Sequence, residues 1–357
     1  MKIMCVTYPQ KPQSLNSSYN QLTKFLDADV ISRPVISSVP GRVAEKVWHF
    51  AYGNKPHLMS QGSFGYHFED RLCEERAFWR AMLHRPDIIH IISGDTMLDM
   101  LLRRRRLLPC DLVATFHFPP EHVANRFERA QRDDLAQLNG AVVLASCDLA
   151  AYRGWLGREK VIHVPHGIDT DIFRPAEFVP AERTRFIFVG VHARDFEVAH
   201  RVIDRCHQEG LACEFLIITP QSAAGYFTGY ANAKIMNEIT EQELIYHYQS
   251  ADALFLPVIY ATANNSILEA LACGVPVIST RIGGVPDYLD ESCGWMVPPR
   301  DSDAAYECVR SIIRDRQTAW DKRSMARRKA ETLSWRRVAA TLLSAYTRLR
   351  QGDPFAN

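Results

Sequence analysis

The sequence predicts an α/β protein made of two doubly wound domains. Three observations carry that expectation. The chain opens on a short apolar run, Lys2–Thr7, the pattern of a buried strand at the start of a parallel sheet. Similar runs then alternate with stretches of helical spacing along the whole length, as βα units do. The 357 residues suffice for two domains with real cores, and Ala176–Thr184, polar and carrying Pro180, reads as the linker between them.

Composition narrows the function classes. With 47% hydrophobic and 23% charged residues, the chain is of ordinary globular type. A net charge of +1 argues against a broad nucleic-acid-binding surface. No apolar run is long enough to suggest a membrane span, and the apolar start Ile3–Val6 is too short for a signal peptide. Nine scattered cysteines without a C-x-x-C pair argue against a disulfide framework and a zinc site, and fit a reducing cytoplasm.

In the first half, Lys2–Thr7 is followed by a Pro-, Gln- and Ser-rich loop to Ser18, a short helix over Tyr19–Leu26 and a strand at Asp29–Ile31. Val43–Tyr52 and Phe68–Leu83 have helical spacing, with a loop-like His57–Gly65 between them. Asp87–Ile92 is a buried strand ending in Ser93-Gly94-Asp95, a loop at the carboxyl edge of the sheet, where open α/β folds bind ligands. A helix is expected over Thr96–Arg106. His90, inside the apolar run, reads as a packed structural histidine. The run Arg103, Arg104, Arg105, Arg106 has two readings: complementing a helix dipole in solvent, or peripheral contact with anionic lipid beside Leu107-Leu108. Asp111–Phe116 is a strand with His117 at its end. Strands at Ala141–Ala145 and Lys160–Val164 flank a helix over Cys147–Leu156.

In the second half, strands are expected at Arg185–Val189, Cys213–Thr219 and Lys234–Met236. Helices are expected at Glu197–Glu209, Asp301–Arg314 and Arg316–Leu333, and a loop at Gln221–Ala233. Thr240 and Glu243 form a capping box ahead of Leu244 and Tyr248. Trp335, Val338, Leu342, Tyr346 and Leu349 fall on one face of a last helix.

The most informative stretch is Ala251–Leu289. Ala253–Val258 is a buried strand and Tyr260–Asn264 a polar loop. Asn264, Asn265 and Ser266 are good helix N-caps before the stripe Ile267, Leu268, Leu271, Ala272. Gly274 and Pro276 end that helix. Val275–Thr280 is a second strand, closed by Gly283-Gly284. A helix opening presents unpaired N–H groups and partial positive charge, which suit phosphate. Glu269, one turn inside on the polar side, offers acceptors for the two hydroxyls of a ribose. The stretch can hold a sugar nucleotide; the plain alternative is an ordinary crossover helix.

The run LEALACGVPVIST followed by GGVPDYL closely resembles the donor-site signature of the retaining GT-B glycosyltransferases of the GT4 family, glycosyl transferases group 1. His166-Gly167-Ile168-Asp169, with Phe173 and Pro175, resembles that family's "NGVD" turn. The resemblance implies two Rossmann-like domains facing a central cleft: an acceptor-side domain over 1–175, with 334–357 packing back on it, and a nucleotide-sugar donor domain over 182–333. It implies that His117 contacts the donor sugar by a hydrogen bond and that Glu269 is the second motif glutamate. Gly190, Met236, Asn264, Asn265, Ser266 and Ile267 line the donor nucleotide. Arg194 takes one phosphate, with Asp195 as a rival salt-bridge partner, and Lys234 is a second candidate cation. On the acceptor side stand Ser14, Gly94 and Asp95, with Asn16 and Ser17 as further hydrogen-bonding candidates. The chain departs from the family pattern at Ala261, where the first motif glutamate is expected, and at Val191 and Phe196, where the phosphate-binding Arg and Lys are expected.

The activity implied is transfer of a sugar, with retention, from a nucleotide-sugar donor to a glycan, lipid-linked or small-molecule acceptor. UDP is the usual donor nucleotide of the family. No metal and no cofactor are expected: the helix opening at Asn264–Ser266 and Arg194 offset the diphosphate charge. In this family the leaving phosphate oxygen is thought to take the acceptor proton on the same face of the sugar. Two rival readings keep the fold: a sugar-nucleotide epimerase, and a binding or scaffold protein without chemistry.

Overall fold

The computed structural model describes residues 1–8, 16, 18–35, 66–126 and 134–355. Ser14, Ser17, the expected helix Val43–Tyr52 and the loop His57–Gly65 lie outside the described residues. The chain divides into two compact units. The first comprises Met1–Lys11, Tyr19–Val164 and Val338–Asn357, the second Pro12–Ser18 and Pro165–Arg337.

The first unit holds a parallel sheet of strands β1 (Ile3–Thr7), β2 (Asp29–Ser32), β3 (Ile88–Ile91), β4 (Asp111–Phe116), β5 (Gly140–Val143) and β6 (Val161–His163). Their order is β2-β1-β3-β4-β5-β6. Most of these strands are buried along their length, which is why they read as continuous apolar runs rather than alternating ones. Around them lie α1 (Leu22–Phe25), α2 (Phe68–His84), α3 (Met100–Arg103), α4 (Pro120–Arg126) and α5 (Leu149–Leu156).

The helix expected over Thr96–Arg106 is shorter. The chain first turns through Thr96 and Met97, whose N–H groups bond the Ser93 carbonyl. Regular helix starts only where the Glu74 carboxylate on α2 receives the Asp99 and Leu101 N–H groups, at 3.2 and 2.7 Å. That carboxylate satisfies amides at the opening of α3. After Arg103 the chain tightens into a 3-10 turn, Arg105–Leu107.

His90 lies at the centre of this unit, with Nε2 2.7 Å from Thr115 Oγ1 and Nδ1 2.6 Å from the Tyr346 hydroxyl. Both ring nitrogens are engaged by neutral hydroxyls in the core, so it is the packed histidine the sequence suggests. Burial, and secondarily His117, lowers its pKa to about 3. The sign follows. The folded state holds His90 neutral while the unfolded chain protonates near pH 6.5, so its contribution is complete above pH 6.5 and is lost as pH falls. Between pH 6.5 and 4, stability to urea is expected to drop through this residue by about 1.4 kcal/mol per pH unit. Comparing the pH slopes of the native protein and His90→Gln checks it; equal slopes would contradict the assignment.

The second unit holds β7 (Thr184–Val189), β8 (Cys213–Ile218), β9 (Ala233–Met236), β10 (Ala253–Leu256), β11 (Val277–Thr280) and β12 (Gly294–Val297). This sheet is also parallel, in the order β12-β11-β10-β7-β8-β9. Its helices are α6 (Phe196–Gln208), α7 (Gln221–Ala224), α8 (Glu241–Gln249), α9 (Asn265–Ala272), α10 (Val285–Tyr288), α11 (Ser302–Arg314), α12 (Gln317–Trp320) and α13 (Arg323–Thr332). Two expectations change. The loop at Gln221–Ala233 contains α7 and a 3-10 turn, Gly225–Phe227, that buries Phe227. The helix expected over Arg316–Leu333 is two helices joined at Asp321-Lys322, where the Lys322 ammonium turns to the Glu291 carbonyl.

The capping box of α8 is formed as the residues suggest, with the Glu243 N–H on Thr240 Oγ1 and the Thr240 N–H on Glu243 Oε2. The last helix, α14 (Trp335–Gln351), starts in the second unit and belongs to the first from Val338 onward. Within the first unit it brings Tyr346 to His90 and leads to Phe355, which covers Gly140; a side chain at position 140 would strike that ring at 2.7 Å.

Candidate functional site

Strands β7, β10 and β11 are neighbours, so their carboxyl ends, Val189, Leu256 and Thr280, form one edge of the second sheet. This is the edge where an open parallel sheet gathers ligands. Two loops rising from it are tied together. The Asp195 N–H bonds the Pro257 carbonyl at 2.9 Å, and the Ile259 N–H bonds the Ala193 carbonyl at 3.0 Å. A third contact fixes the base of the second loop, from the Val258 N–H to Thr280 Oγ1 at 3.0 Å.

The loop from Pro257 then climbs to α9, and the turn at Gly283-Gly284 clasps it. The Gly284 N–H bonds the Ala261 carbonyl at 2.8 Å. Gly283 sits at φ +54°, where a Cβ would fall 2.2 Å from that same carbonyl oxygen, so only glycine fits. Ala261, in the position of the family's first glutamate, is thereby buried at 7% exposure and presents no polar group.

Helix α9 opens with Asn264 as its N-cap; Oδ1 accepts the Ile267 N–H at 3.3 Å. The N–H groups of Asn265 and Ser266 have no acceptor among the described residues. Of the three candidate caps, Asn264 is the cap and the next two carry the open donors. Ile267 packs into the core.

Arg194 points at this opening. Its guanidinium donates from Nε to the Val189 carbonyl (2.9 Å), from Nη1 to the His192 carbonyl (2.9 Å) and from Nη2 to Ser266 Oγ (3.1 Å). Gly190, at φ +89°, makes room, since a Cβ there would lie 2.8 Å from Nη2. The salt bridge to Asp195 considered from sequence is not the arrangement found: Asp195 Oδ1 caps α6 by accepting the Val198 N–H at 3.0 Å. Burial lowers the Arg194 pKa to about 10, against the opposing pull of Tyr248 and Glu269. It therefore stays a cation at neutral pH.

Glu269 differs from expectation. It is not on an open polar side of α9 but 5% exposed, with Oε2 accepting the Tyr248 hydroxyl at 2.8 Å. Burial, and then the carboxylate itself, raises the Tyr248 pKa well above the usual phenol range. The cause is that α8 packs across α9, which a single-helix reading cannot show. Met236 ends β9 level with Ile218 and Val189, at the site's edge. Lys234 pairs with Leu216, two residues further back, and is exposed on the edge strand. Two residues of strand are about 6.6 Å, so its backbone stands clear of the α9 opening.

Sequence reasoning missed the pair His192–Tyr260. Nε2 of His192 lies 2.7 Å from the Tyr260 hydroxyl, joining the two loops beside Arg194. The available signal was a histidine two residues after Gly190, in the same loop as Arg194.

In the first unit, the residues named from sequence converge at the carboxyl ends of β3 and β4. Asp95, 4% exposed, receives the His117 and Phe118 N–H groups at 2.6 and 3.2 Å. His117 Nε2 lies 2.7 Å from the Ile92 carbonyl, and Tyr19 meets the ring edge-on at 4.9 Å. Gly94 is required by packing, since a Cβ would stand 2.9 Å from that of Ala114. Asp95 thus shapes the loop that carries His117. The arginine run is largely satisfied internally: Arg103 on Asp99 at 2.8 Å, Arg104 on Glu75 at 2.9 Å, and Arg105 bonded to Asn139 with Asp111 at 3.9 Å.

Over nearly its full length the chain has the fold of GT-B glycosyltransferases. It superposes on sucrose-phosphate synthase from Thermosynechococcus elongatus with a TM-score of 0.74, at 16% identity, covering 99% of this chain and 100% of that one. It superposes on Anabaena HepE, solved in complex with UDP, with a TM-score of 0.67, at 14% identity, covering 97% and 100%. Residues 183–315, which include the α9 opening, match the model of the family described as glycosyl transferases group 1. Among curated proteins, the chain is 24% identical over 281 residues to a sulfoquinovosyl transferase of Arabidopsis thaliana, covering 71% of this chain and 54% of that protein. It is 27% identical over 215 residues to a D-inositol 3-phosphate glycosyltransferase of Geodermatophilus obscurus, covering 53% and 47%. The matched regions span about half the length of these relatives. No helix among the described residues is long and apolar enough to cross a membrane.

Proposed function

We propose that the second unit binds a nucleoside-diphosphate sugar at the α9 opening and that the chain transfers that sugar, with retention, to a glycan, lipid-linked or small-molecule acceptor. The observation that carries this reading is the pairing of two open N–H donors, Asn265 and Ser266, with a guanidinium fixed on Ser266 Oγ. An anion at that point meets fixed donors and positive charge without a metal ion. Arg194 takes the role that Val191 and Phe196 cannot, and His192 adds a polar contact from the same loop.

Glu269 is assigned the ribose hydroxyls and His117 a donor hydroxyl. The charge developing on the leaving diphosphate is stabilised by the α9 opening and Arg194, which act by position rather than by covalent chemistry. UDP is the nucleotide proposed, in keeping with the family and with the UDP complex of the Anabaena protein.

A second reading, nucleotide binding without transfer, is favoured by Ala261, whose buried methyl replaces a carboxylate. A thermal-shift panel of UDP, GDP, ADP, CMP and dTDP, with and without EDTA, followed by a donor-hydrolysis assay, separates the two. Saturation at one hundred times Kd stabilises the fold by about 2.7 kcal/mol, a shift of several degrees. A shift with one nucleotide that EDTA leaves unchanged, together with turnover, is expected. A shift without turnover supports the binding protein, and no shift with any nucleotide contradicts both.

A further inference from the structure

A cavity of about 370 Å³ lies in the second unit at the far end of α9 from its opening. One side is made by Pro175 and by Gly274, which turns the chain out of α9 at φ +73°. The other side is α13, which packs along α9 and presents Arg323, Arg327, Arg328 and Glu331. Helix α9 has 8 residues, roughly 12 Å of rise, so the cavity stands a helix length away from the open donors of Asn265 and Ser266.

Three guanidinium groups against one carboxylate give the lining a net charge of +2. The carboxylate, Glu331, is already taken by Arg327 Nε at 2.9 Å. Arg327 is a strut of the fold: Nη1 bonds the Phe173 and Ala272 carbonyls at 3.0 and 2.9 Å, and Nη2 the Thr170 carbonyl at 3.0 Å. The other two arginines differ. Arg323, half-buried, donates from Nη1 to the Ala251 carbonyl at 2.9 Å and from Nη2 to the Gln249 carbonyl at 3.4 Å, while Nε has no acceptor among the described residues. Carbonyls carry no formal charge, so these bonds hold the guanidinium without neutralising it. Burial lowers the Arg323 pKa, against the pull of Asp252 and Cys273. Arg328 is exposed and touches only the Met325 sulfur, at 3.8 Å. Neither has an ion-pair partner among the described residues.

We infer that this cavity binds a phosphate-bearing small molecule at a site separate from the donor opening. Arg323 and Arg328 receive the phosphate oxygens, which match the forked donors of a guanidinium, and the Ser324 hydroxyl on the same wall adds a further donor. The volume is in the range of small-molecule pockets and larger than a bare ion requires. The phosphate is therefore carried on a body of sugar size, which lies over the Pro175 ring.

The test is calorimetric titration of the full chain, kept saturated with UDP so that the α9 opening is filled. The probes are ribose 5-phosphate, inorganic phosphate and ribose. Ribose 5-phosphate is expected to bind once per chain, inorganic phosphate more weakly and ribose not at all, with affinity falling as salt rises. Arg328→Glu and Arg323→Gln are each expected to weaken ribose 5-phosphate binding about tenfold or more. Melting curves establish that each variant folds; Arg328, which bonds no backbone group among the described residues, keeps the test valid should Arg323→Gln unfold the chain. Arg194→Ala, which disables the α9 opening, is expected to leave this binding unchanged, so the result stands whether or not UDP binds. Absent binding, binding abolished by UDP or by Arg194→Ala, or affinity unchanged in Arg328→Glu overturns the inference. Equal affinity for inorganic phosphate and ribose 5-phosphate overturns the assigned ligand class.

Discussion

Asp252→Ala is expected to lower the unfolding free energy of the second unit by about 3–5 kcal/mol, the usual consequence of breaking a buried ion pair from one side. Asp252 is fully buried at the entry to β10, and both carboxylate oxygens are used. Oδ1 accepts from Arg316 Nη2 at 3.0 Å and from Trp320 Nε1 at 2.7 Å. Oδ2 accepts from Arg316 Nη2 at 2.9 Å and the Arg185 N–H at 2.8 Å. One carboxylate therefore joins β7, β10 and α12. Its removal leaves the Arg316 guanidinium partly buried with the Ala181 carbonyl as its remaining acceptor among the described residues. Urea unfolding checks it, with Asp252→Asn as the milder comparison; a loss under 1 kcal/mol would show that the network relaxes onto other partners.

The second large effect concerns ligand binding. Glu269→Ala is expected to weaken UDP binding by about 1.5–3 kcal/mol, or roughly ten- to 150-fold, if the carboxylate holds the ribose. Because Tyr248 already donates to Oε2, the same change also frees a buried hydroxyl and costs some stability. Tyr248→Phe separates the two, since it disturbs the packing partner while leaving the carboxylate for the nucleotide. Calorimetric titration of both variants with UDP provides the measurement. Unchanged affinity in Glu269→Ala, with only the melting point lowered, would remove Glu269 from the nucleotide site and leave it a structural residue.

Much of this architecture could be read from the chain because the relevant signals are local. Parallel strands buried on both sides appear as apolar runs, and Asn264, Thr240 and Asp301 cap the helices beside them in sequence. What escaped depends on contacts between distant residues. Glu74 decides where α3 begins from 25 residues away, and Asn139 and Glu75 satisfy an arginine run that looks free in one dimension. At the site, the opening of α9 was visible, but the orientation of Arg194 toward Ser266, 72 residues later, was not. Nor was the burial of Glu269, which depends on Tyr248 from the preceding helix. Lys234 shows the converse: a plausible residue type whose register, set by pairing with Leu216, places it short of the edge.

The division of α14 has a consequence for how the protein is made. The first unit takes its final helix from Val338 onward, and His90 finds its second hydroxyl partner only at Tyr346. During synthesis, nearly all of the second unit has therefore been translated before the first can close its core. Domains usually fold as units from the N-terminus as the ribosome proceeds. Here the order is inverted: the half that is translated first is the half completed last. Until then its sheet lacks the surface that α14 covers.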